Sequence, residues 1–276
     1  MSQLSEKDLA ILSAAVSQLE RPSLAARLAA VVGMPVEKLL GWLPVSIQNQ
    51  IDRATEEALA RALNVARKTL HDETKGPKNL AHKVAVTVSG VTGGLFGAPA
   101  LFAELPVTTV IILRSIADIA RSKGEDLSDP AVQLACLEVF ALGSNTKQDP
   151  QDLTGAESQK KESYIRSSYF VSRAAMAQQV TAAAEILTKG TASAGSALTR
   201  LISNIASRFG VAVSEKAAAQ AVPIVGAIGG GLINALFMDH FQNTAEAHFC
   251  VRMLERVYGT DVVRNEYENL ARSEVD

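Results

Sequence analysis

Apolar residues recur along most of the chain at the three- and four-residue spacing of α-helices, and no segment alternates strictly as a half-buried strand would. In the first part of the chain this spacing predicts helices over residues 5–19, 22–32, 35–40 and 45–71. Farther along it predicts helices over residues 83–98, 106–123, 130–142 and 164–189, one that ends near 210, one that ends at 258, and a last one that ends at 272. The predicted fold class is all-α, a multi-helix bundle.

Several helix ends carry local signals. Ser5 and Asp8 have the spacing of a capping box, whose side chains satisfy amide groups of the first helical turn. Residues 128–130 read Ser-Asp-Pro, which predicts an N-cap followed by a proline at the first helical position. Pro106 is placed near the first turn of its helix for the same reason, and Gly259 is predicted to end the long helix before it.

Two long stretches carry no charge. The first lies between Lys83 and Glu104 and includes GVTGGLFGAPALFAELP, and the second covers residues 217–238. Each is about as long as a membrane span, but each contains proline and is rich in small residues rather than in leucine and isoleucine. Glycines four apart let helix backbones touch. We therefore predict that the bundle is built around two Gly-rich buried helical hairpins, with membrane-embedded hairpins as the alternative.

Composition and charge narrow the class of protein. The 27 basic and 29 acidic residues leave a net charge of −2 with no basic stripe, which argues against a nucleic-acid partner. The two cysteines match no zinc spacing, and the first residues lack the basic and apolar regions of a signal peptide, so we expect a cytoplasmic protein. A break near residue 76 divides an N-terminal helical segment (1–75) from a helical core (76–276), in which the polar stretch 144–162 is predicted to be a loop.

Each uncharged stretch ends in a carboxylate. The sequences GVTGG…ALFAE and GAIGG…ALFMD are similar, and if they are repeats then Glu104 and Asp239 occupy equivalent positions. Arg114 and Asp118 lie four residues apart on the helix after Glu104. Arg114 is interpreted either as half of a structural ion pair with one of these carboxylates or as an anion-binding group beside a catalytic carboxylate. The candidate catalytic residues are Glu104, Arg114, Asp239 and His240.

A metal site is a further hypothesis. Helical bundles build metal sites from inward-facing carboxylates and histidines, and the candidate ligands here are Glu104, Asp239, His240 and Glu246. The usual Glu-x-x-His spacing and an HExxH motif are both absent from the sequence. The sequence therefore leaves the identity of any cofactor open, with a divalent metal as one hypothesis. The alternative is that these residues form a polar helix face with one buried histidine.

The segment GGLFGAPALFAELPVTTVIILRSIADIARSKGEDLSDPAVQLACLEVFALG resembles the central signature of the EcsC family. The segment AVPIVGAIGGGLINALFMDHFQNTAEAHFCVRMLERVYG resembles its C-terminal signature, and together the two place the likeness at about residues 76 to 262. The resemblance implies a bacterial, mostly helical protein. The founding member is encoded beside an ABC transporter linked to secretion and competence, and the family brings no established activity. Residues that look like family features are Glu104, Pro106, Arg114, Pro223, Gly226, Asn234 and Arg252.

Three functions follow as hypotheses. The first is an accessory or interaction protein, cytoplasmic or peripheral to the inner membrane, whose partner is a membrane surface or a transporter protein. The second is an enzyme, a metal-assisted hydrolase with its carboxylate and histidine site between the two hairpins. The third is a lipid or small-molecule binding module that uses the space between them. The sequence leaves open whether the protein is an enzyme.

Overall fold

A computed structural model of the protein describes residues 4–20, 24–41, 43, 45–69, 98–144, 168–189, 194–222 and 226–273. These residues form ten α-helices and include no strand, which confirms the all-α prediction. The first five helices are α1 (Glu6–Leu19), α2 (Leu24–Val32), α3 (Val36–Leu40), α4 (Val45–Thr69) and α5 (Ala98–Ser122). The other five are α6 (Pro130–Leu142), α7 (Ser168–Lys189), α8 (Ala194–Ala221), α9 (Gly226–Tyr258) and α10 (Thr260–Ser273).

The predicted signals at three helix ends are confirmed. The hydroxyl of Ser5 accepts a hydrogen bond from the amide of Asp8 at 3.2 Å, as a capping residue does, whereas the amide of Ser5 donates to the hydroxyl of Tyr258 and not to Asp8, so only this half of the predicted capping box is confirmed. Helix α6 begins with Pro130 directly after the N-cap Asp129, whose carboxylate accepts from the amide of Ala131. Gly259 separates α9 from α10 and adopts a φ of 87°, a conformation that favours glycine.

Two predicted helix boundaries are wrong. Pro106 lies inside α5 and not in its first turn, so the helix continues past it although a proline in a helix interior removes one backbone hydrogen bond and costs about 3 kcal/mol. Gly210 lies inside α8 and does not end it. A Cβ at Gly210 would lie 3.3 Å from Oδ1 of Asp52 and 3.7 Å from Cγ2 of Ile51. The glycine therefore serves the close approach of α8 to α4.

One hydrophobic cluster contains side chains from the first helix to the last. Helix α9 packs against α1, α5, α6, α8 and α10, and α8 packs against α2, α3, α4, α6 and α7. Four phenylalanines from α6, α8 and α9 pack with ring centroids 4.7 to 6.0 Å apart: Phe140, Phe209, Phe237 and Phe241. This aromatic cluster fixes the helices that carry the buried polar side chains described below.

Parts of the sequence interpretation lie outside the described residues. These parts are the helix predicted over 83–98, most of the first Gly-rich hairpin, the domain boundary near 76 and the loop after residue 144. In the second uncharged stretch, Ala217, Ile233 and Met238 are buried, while Leu232 is 47% exposed. The pair of hairpins stays a prediction. No helix in the described part of the chain is both long and apolar enough to cross a membrane.

Candidate functional site

A buried ion pair joins α5 to α8. The ammonium of Lys216 lies 3.0 Å from Oε1 of Glu104, and the two side chains are 0% and 6% exposed. Helix α5 carries Glu104 about two turns after its first residue, and α8 carries Lys216 about one turn before its last. Charged side chains are almost never this buried unless they are paired. The stability of this buried pair therefore depends on the hydrogen bonds that the surrounding groups form with it.

Two further side chains bind the same carboxylate oxygen. The amide of Asn234 on α9 donates to Oε1 of Glu104 at 2.5 Å, and the hydroxyl of Thr108, one turn along α5, donates to it at 3.2 Å. The ring of Phe237 lies 4.9 Å from Nζ of Lys216 and adds a cation–π contact. We call Glu104, Thr108, Lys216 and Asn234 the polar centre. It lies where α5, α8 and α9 meet.

The polar centre leaves hydrogen-bonding capacity unused. Oε2 of Glu104 is buried and has no hydrogen-bond partner in the described part of the protein, and the same holds for Oε1 of Gln220. Gln220 is four residues after Lys216, so the two side chains leave the same face of α8. A buried acceptor without a donor costs about 1–3 kcal/mol. An occupant that donates hydrogen bonds would recover this energy.

The electrostatics of the polar centre are set by burial. Removal from water lowers the pKa of Lys216, and the negative charge and hydrogen bond of Glu104 act in the opposite direction. The balance is a lysine that loses its proton more readily than one on the surface. The polar centre can thus bind a polar group or exchange a proton with it.

The predicted residues Asp239 and His240 have partners of their own. Asp239 forms an ion pair of 2.7 Å with Arg27 of α2 and accepts a hydrogen bond from Asn243 at 3.1 Å. Nε2 of His240 contacts the carbonyl oxygen of Gly143, and burial lowers the pKa of this histidine. The contacts of Asp239 thus differ from those of Glu104, the residue it was predicted to match.

The other two predicted residues lie near the surface. Arg114 is exposed on α5, and Asp118, four residues further along, forms a salt bridge of 3.3 Å with Arg121. Glu246 is half exposed and forms an ion pair with Lys123. In the described ranges no group of three or more histidine, cysteine, aspartate and glutamate side chains could hold a metal ion. The prediction of a metal site gains no support from these contacts.

A second buried polar cluster joins α7 to α9. The guanidinium of Arg173 binds both carboxylate oxygens of Glu255 at 2.9 and 3.0 Å, and it also donates to the phenol oxygen of Tyr169 at 3.3 Å. The phenol oxygen lies 2.9 Å from Nδ1 of His248. Because Arg173 donates to the phenol oxygen, we assign the phenol proton to the bond with Nδ1, which places the proton of His248 on Nε2.

Burial governs the protonation of this second cluster. It raises the pKa of Tyr169 and lowers that of His248 well below its usual range, so both side chains are neutral near pH 7. Nε2 of His248 is buried and finds no acceptor among the residues that the structure describes. On α6, burial raises the pKa of Glu138 to about 7 although Arg173 acts against this. The cluster thus places the ion pair of Arg173 and Glu255 beside a neutral tyrosine and a neutral histidine.

Sequence reasoning missed Lys216 and the cluster around Tyr169. One signal for Lys216 is present: it is the last charged residue before the second uncharged stretch, and Glu104 is the first charged residue after the first stretch. Lone opposite charges at the edges of two buried stretches are candidates for a pair. No comparable local signal marks the bond between Tyr169 and His248, because the two residues lie 79 positions apart on different helices.

Comparison with known proteins identifies the family of the chain. A sequence model of the EcsC protein family matches residues 6–254. The likeness therefore begins at α1 and includes the first four helices, whereas the resemblance of the two signatures placed its start near residue 76. No curated protein and no solved structure matches the chain.

Proposed function

Since the chain belongs to the EcsC family, we propose that it is an accessory protein of a membrane transport or secretion system and that it binds an amphipathic molecule at the polar centre. The family resemblance supports the link to transport. The geometry of the polar centre supports the binding of a ligand.

One observation carries the proposal of ligand binding. Oε2 of Glu104 is buried without a donor among the residues that the structure describes, next to a fully buried Lys216. Buried polar atoms are almost always hydrogen-bonded, and an exception calls for a functional or structural reason. A bound molecule with a polar group at this position supplies the reason.

An apolar side chain near the polar centre favours an amphipathic ligand. Val107 follows Glu104 by about one turn of α5, so the two side chains leave the same face of the helix, and Val107 is 55% exposed. Isolated apolar side chains on a surface are common. Here the exposed side chain stands next to a buried polar group, which suits a molecule with a polar head and an apolar chain.

Native mass spectrometry of the full-length protein, purified from cells without detergent, tests this proposal. We expect one bound amphiphile per chain, which organic extraction releases for identification. The double variant Glu104→Gln/Lys216→Met keeps the net charge and is expected to lose the adduct. Arg27→Met/Asp239→Asn removes a more exposed ion pair and serves as the matched control. Wild-type protein without an adduct would contradict the proposal.

The proposed site of action is the cytoplasmic surface of the inner membrane. Peripheral association needs no spanning helix, because an apolar surface and lipid contacts are sufficient. Flotation with vesicles of bacterial lipid composition tests this part of the proposal. We expect the protein to float with vesicles and to be released by a carbonate wash. Protein that stays at the bottom of the gradient would limit the proposal to ligand binding in solution.

A further inference from the structure

The ligand at the polar centre has to supply hydrogen-bond donors. Oε2 of Glu104 and Oε1 of Gln220 are buried oxygens that lack a donor among the described side chains. Gln220 is 8% exposed and lies one helical turn from Lys216, so its side chain leaves the same face of α8 as the lysine that binds Glu104. A ligand with at least two donor groups would satisfy both oxygens.

The charge of the polar centre excludes most headgroups. Its two charges, on Glu104 and Lys216, cancel, and both side chains are almost wholly removed from water. A carboxylate ligand would bring a second negative charge next to Glu104, and an ammonium ligand would bring a second positive charge next to Lys216. Either would carry an unbalanced charge into the interior, where an unpaired charge is strongly unfavourable. A neutral headgroup avoids this penalty.

A hydroxyl group meets both requirements, because it is neutral and donates a hydrogen bond. It donates one hydrogen bond and accepts others, so it can donate to Oε2 of Glu104 while it accepts from Nζ of Lys216. A second hydroxyl on the neighbouring carbon can then donate to Oε1 of Gln220. A single alcohol would satisfy only one of the two oxygens.

We propose that the polar centre binds the headgroup of a neutral lipid with two hydroxyl groups, as in a monoacylglycerol, and discriminates against fatty acids and fatty amines. This inference rests on the proposed function, because it names the chemical class of the amphiphile. The acyl chain lies toward the exposed Val107. The ion pair then selects for neutral headgroups, because its two charges cancel and leave no net charge to balance that of a charged headgroup.

Binding of three probes with the same chain length tests the selection. The full-length protein is titrated at pH 7 with 1-lauroylglycerol, lauric acid or dodecylamine, each below its critical micelle concentration. We expect 1-lauroylglycerol to bind one molecule per chain, about tenfold tighter or more than either charged probe, because charge mismatch works against both of them. Isothermal titration calorimetry gives the three affinities.

The variant Gln220→Leu locates the headgroup. It removes one unsatisfied acceptor and is not expected to disturb folding. We expect it to bind 1-lauroylglycerol about tenfold more weakly, which is the typical effect of losing one hydrogen bond in a buried site. Its affinity for lauric acid is expected to stay unchanged. Gln178→Leu, at an exposed position of α7, is the control for the same change of side chain.

Each outcome has one meaning. If lauric acid or dodecylamine binds as tightly as 1-lauroylglycerol, the headgroup inference is overturned while the proposal of amphiphile binding stands. If no probe binds but the purified protein carries an amphiphile, again only the headgroup inference fails. If no probe binds and no amphiphile co-purifies, both fail. An unchanged preference in Gln220→Leu overturns the placement of the headgroup at Gln220.

Discussion

The ammonium of Lys216 lies 3.0 Å from the carboxylate of Glu104, although 112 positions of the chain separate the two residues. The contact ties α5 to α8 through the interior of the bundle. Since both side chains are almost wholly removed from water, each charge depends on the other for its stabilisation. Removal of one partner therefore has a different consequence from removal of both.

The variant Lys216→Met is expected to lower the free energy of unfolding by about 3–5 kcal/mol, because it leaves Glu104 buried without its counter-charge. The double variant Lys216→Met/Glu104→Gln is expected to recover more than half of this loss. Lys123→Met breaks an ion pair whose glutamate is 51% exposed, and it should cost about 1 kcal/mol or less. Urea denaturation measures all three. A single variant at Lys216 as mild as Lys123→Met would contradict the prediction.

Glu138 is expected to make stability depend on pH in a defined direction. Burial raises its pKa from 4.5 to about 7, while Arg173, Arg252 and Arg208 act against this and Glu255 adds to it. Between these two pH values the folded protein holds a proton that the unfolded chain has released. The stabilisation from the protonated group is therefore complete below about pH 4.5 and is lost as the pH rises through about 7.

Glu138→Gln is neutral at every pH and isolates this contribution. We expect the free energy of unfolding of wild type, minus that of Glu138→Gln, to fall as the pH rises from about 4.5 to about 7. Denaturation at several pH values measures the difference. Glu57→Gln, on the exposed face of α4, controls for removal of a negative charge. A difference that rises with pH would show that the assigned shift has the wrong sign.

The proton of His248 is expected to reside on Nε2 throughout the range from about pH 5 to 8, because burial keeps the ring neutral and Tyr169 donates to Nδ1. Nitrogen-15 NMR of labelled histidine distinguishes the two nitrogens. Tyr169→Phe removes the donor to Nδ1 and should lower the free energy of unfolding by about 1–3 kcal/mol. A His248 signal that shows protonated Nδ1 would contradict the assigned tautomer.

Gly143→Ala is expected to lower the free energy of unfolding by about 1–3 kcal/mol, because the added methyl group overpacks the core. A Cβ there would lie 2.7 Å from the ring of Phe241. Gly41 also ends a helix and has a similar backbone conformation, with φ of −64° against −71°, but its nearest atom is 3.4 Å away. Gly41→Ala is the matched control and should change stability little. Equal effects of the two substitutions on thermal unfolding would argue against the steric explanation.

The sequence predicted most helices because their signals are local. Ser5, Asp129 and Gly259 act on the turn in which they stand, so their roles could be inferred from neighbouring residues. Pro106 and Gly210 are interior to helices for reasons that depend on packing with other parts of the chain. Their local preference for breaking a helix is outweighed by tertiary contacts, which no short segment reveals.

The candidate site was predictable in part. Glu104 stood out as the single carboxylate at the end of an uncharged stretch, and the structure places it in a buried polar centre. Its expected partner, Asp239, has other contacts, and the side chains that bind Glu104 are Lys216 and Asn234. A sequence shows which charges are isolated. It does not show which of two similar helices turns its polar face toward them.

Pro106 stands between the two residues of α5 that belong to the polar centre, Glu104 and Thr108. Because proline has no amide hydrogen, the carbonyl of Phe102 loses its usual helical donor. One backbone hydrogen bond fewer therefore connects the first two turns of α5 to the rest of the helix. The orientation of these two turns thus depends on a tertiary contact, that of Glu104 with α8 and α9. The same carboxylate that neutralises Lys216 also holds in place the part of α5 that the proline weakens.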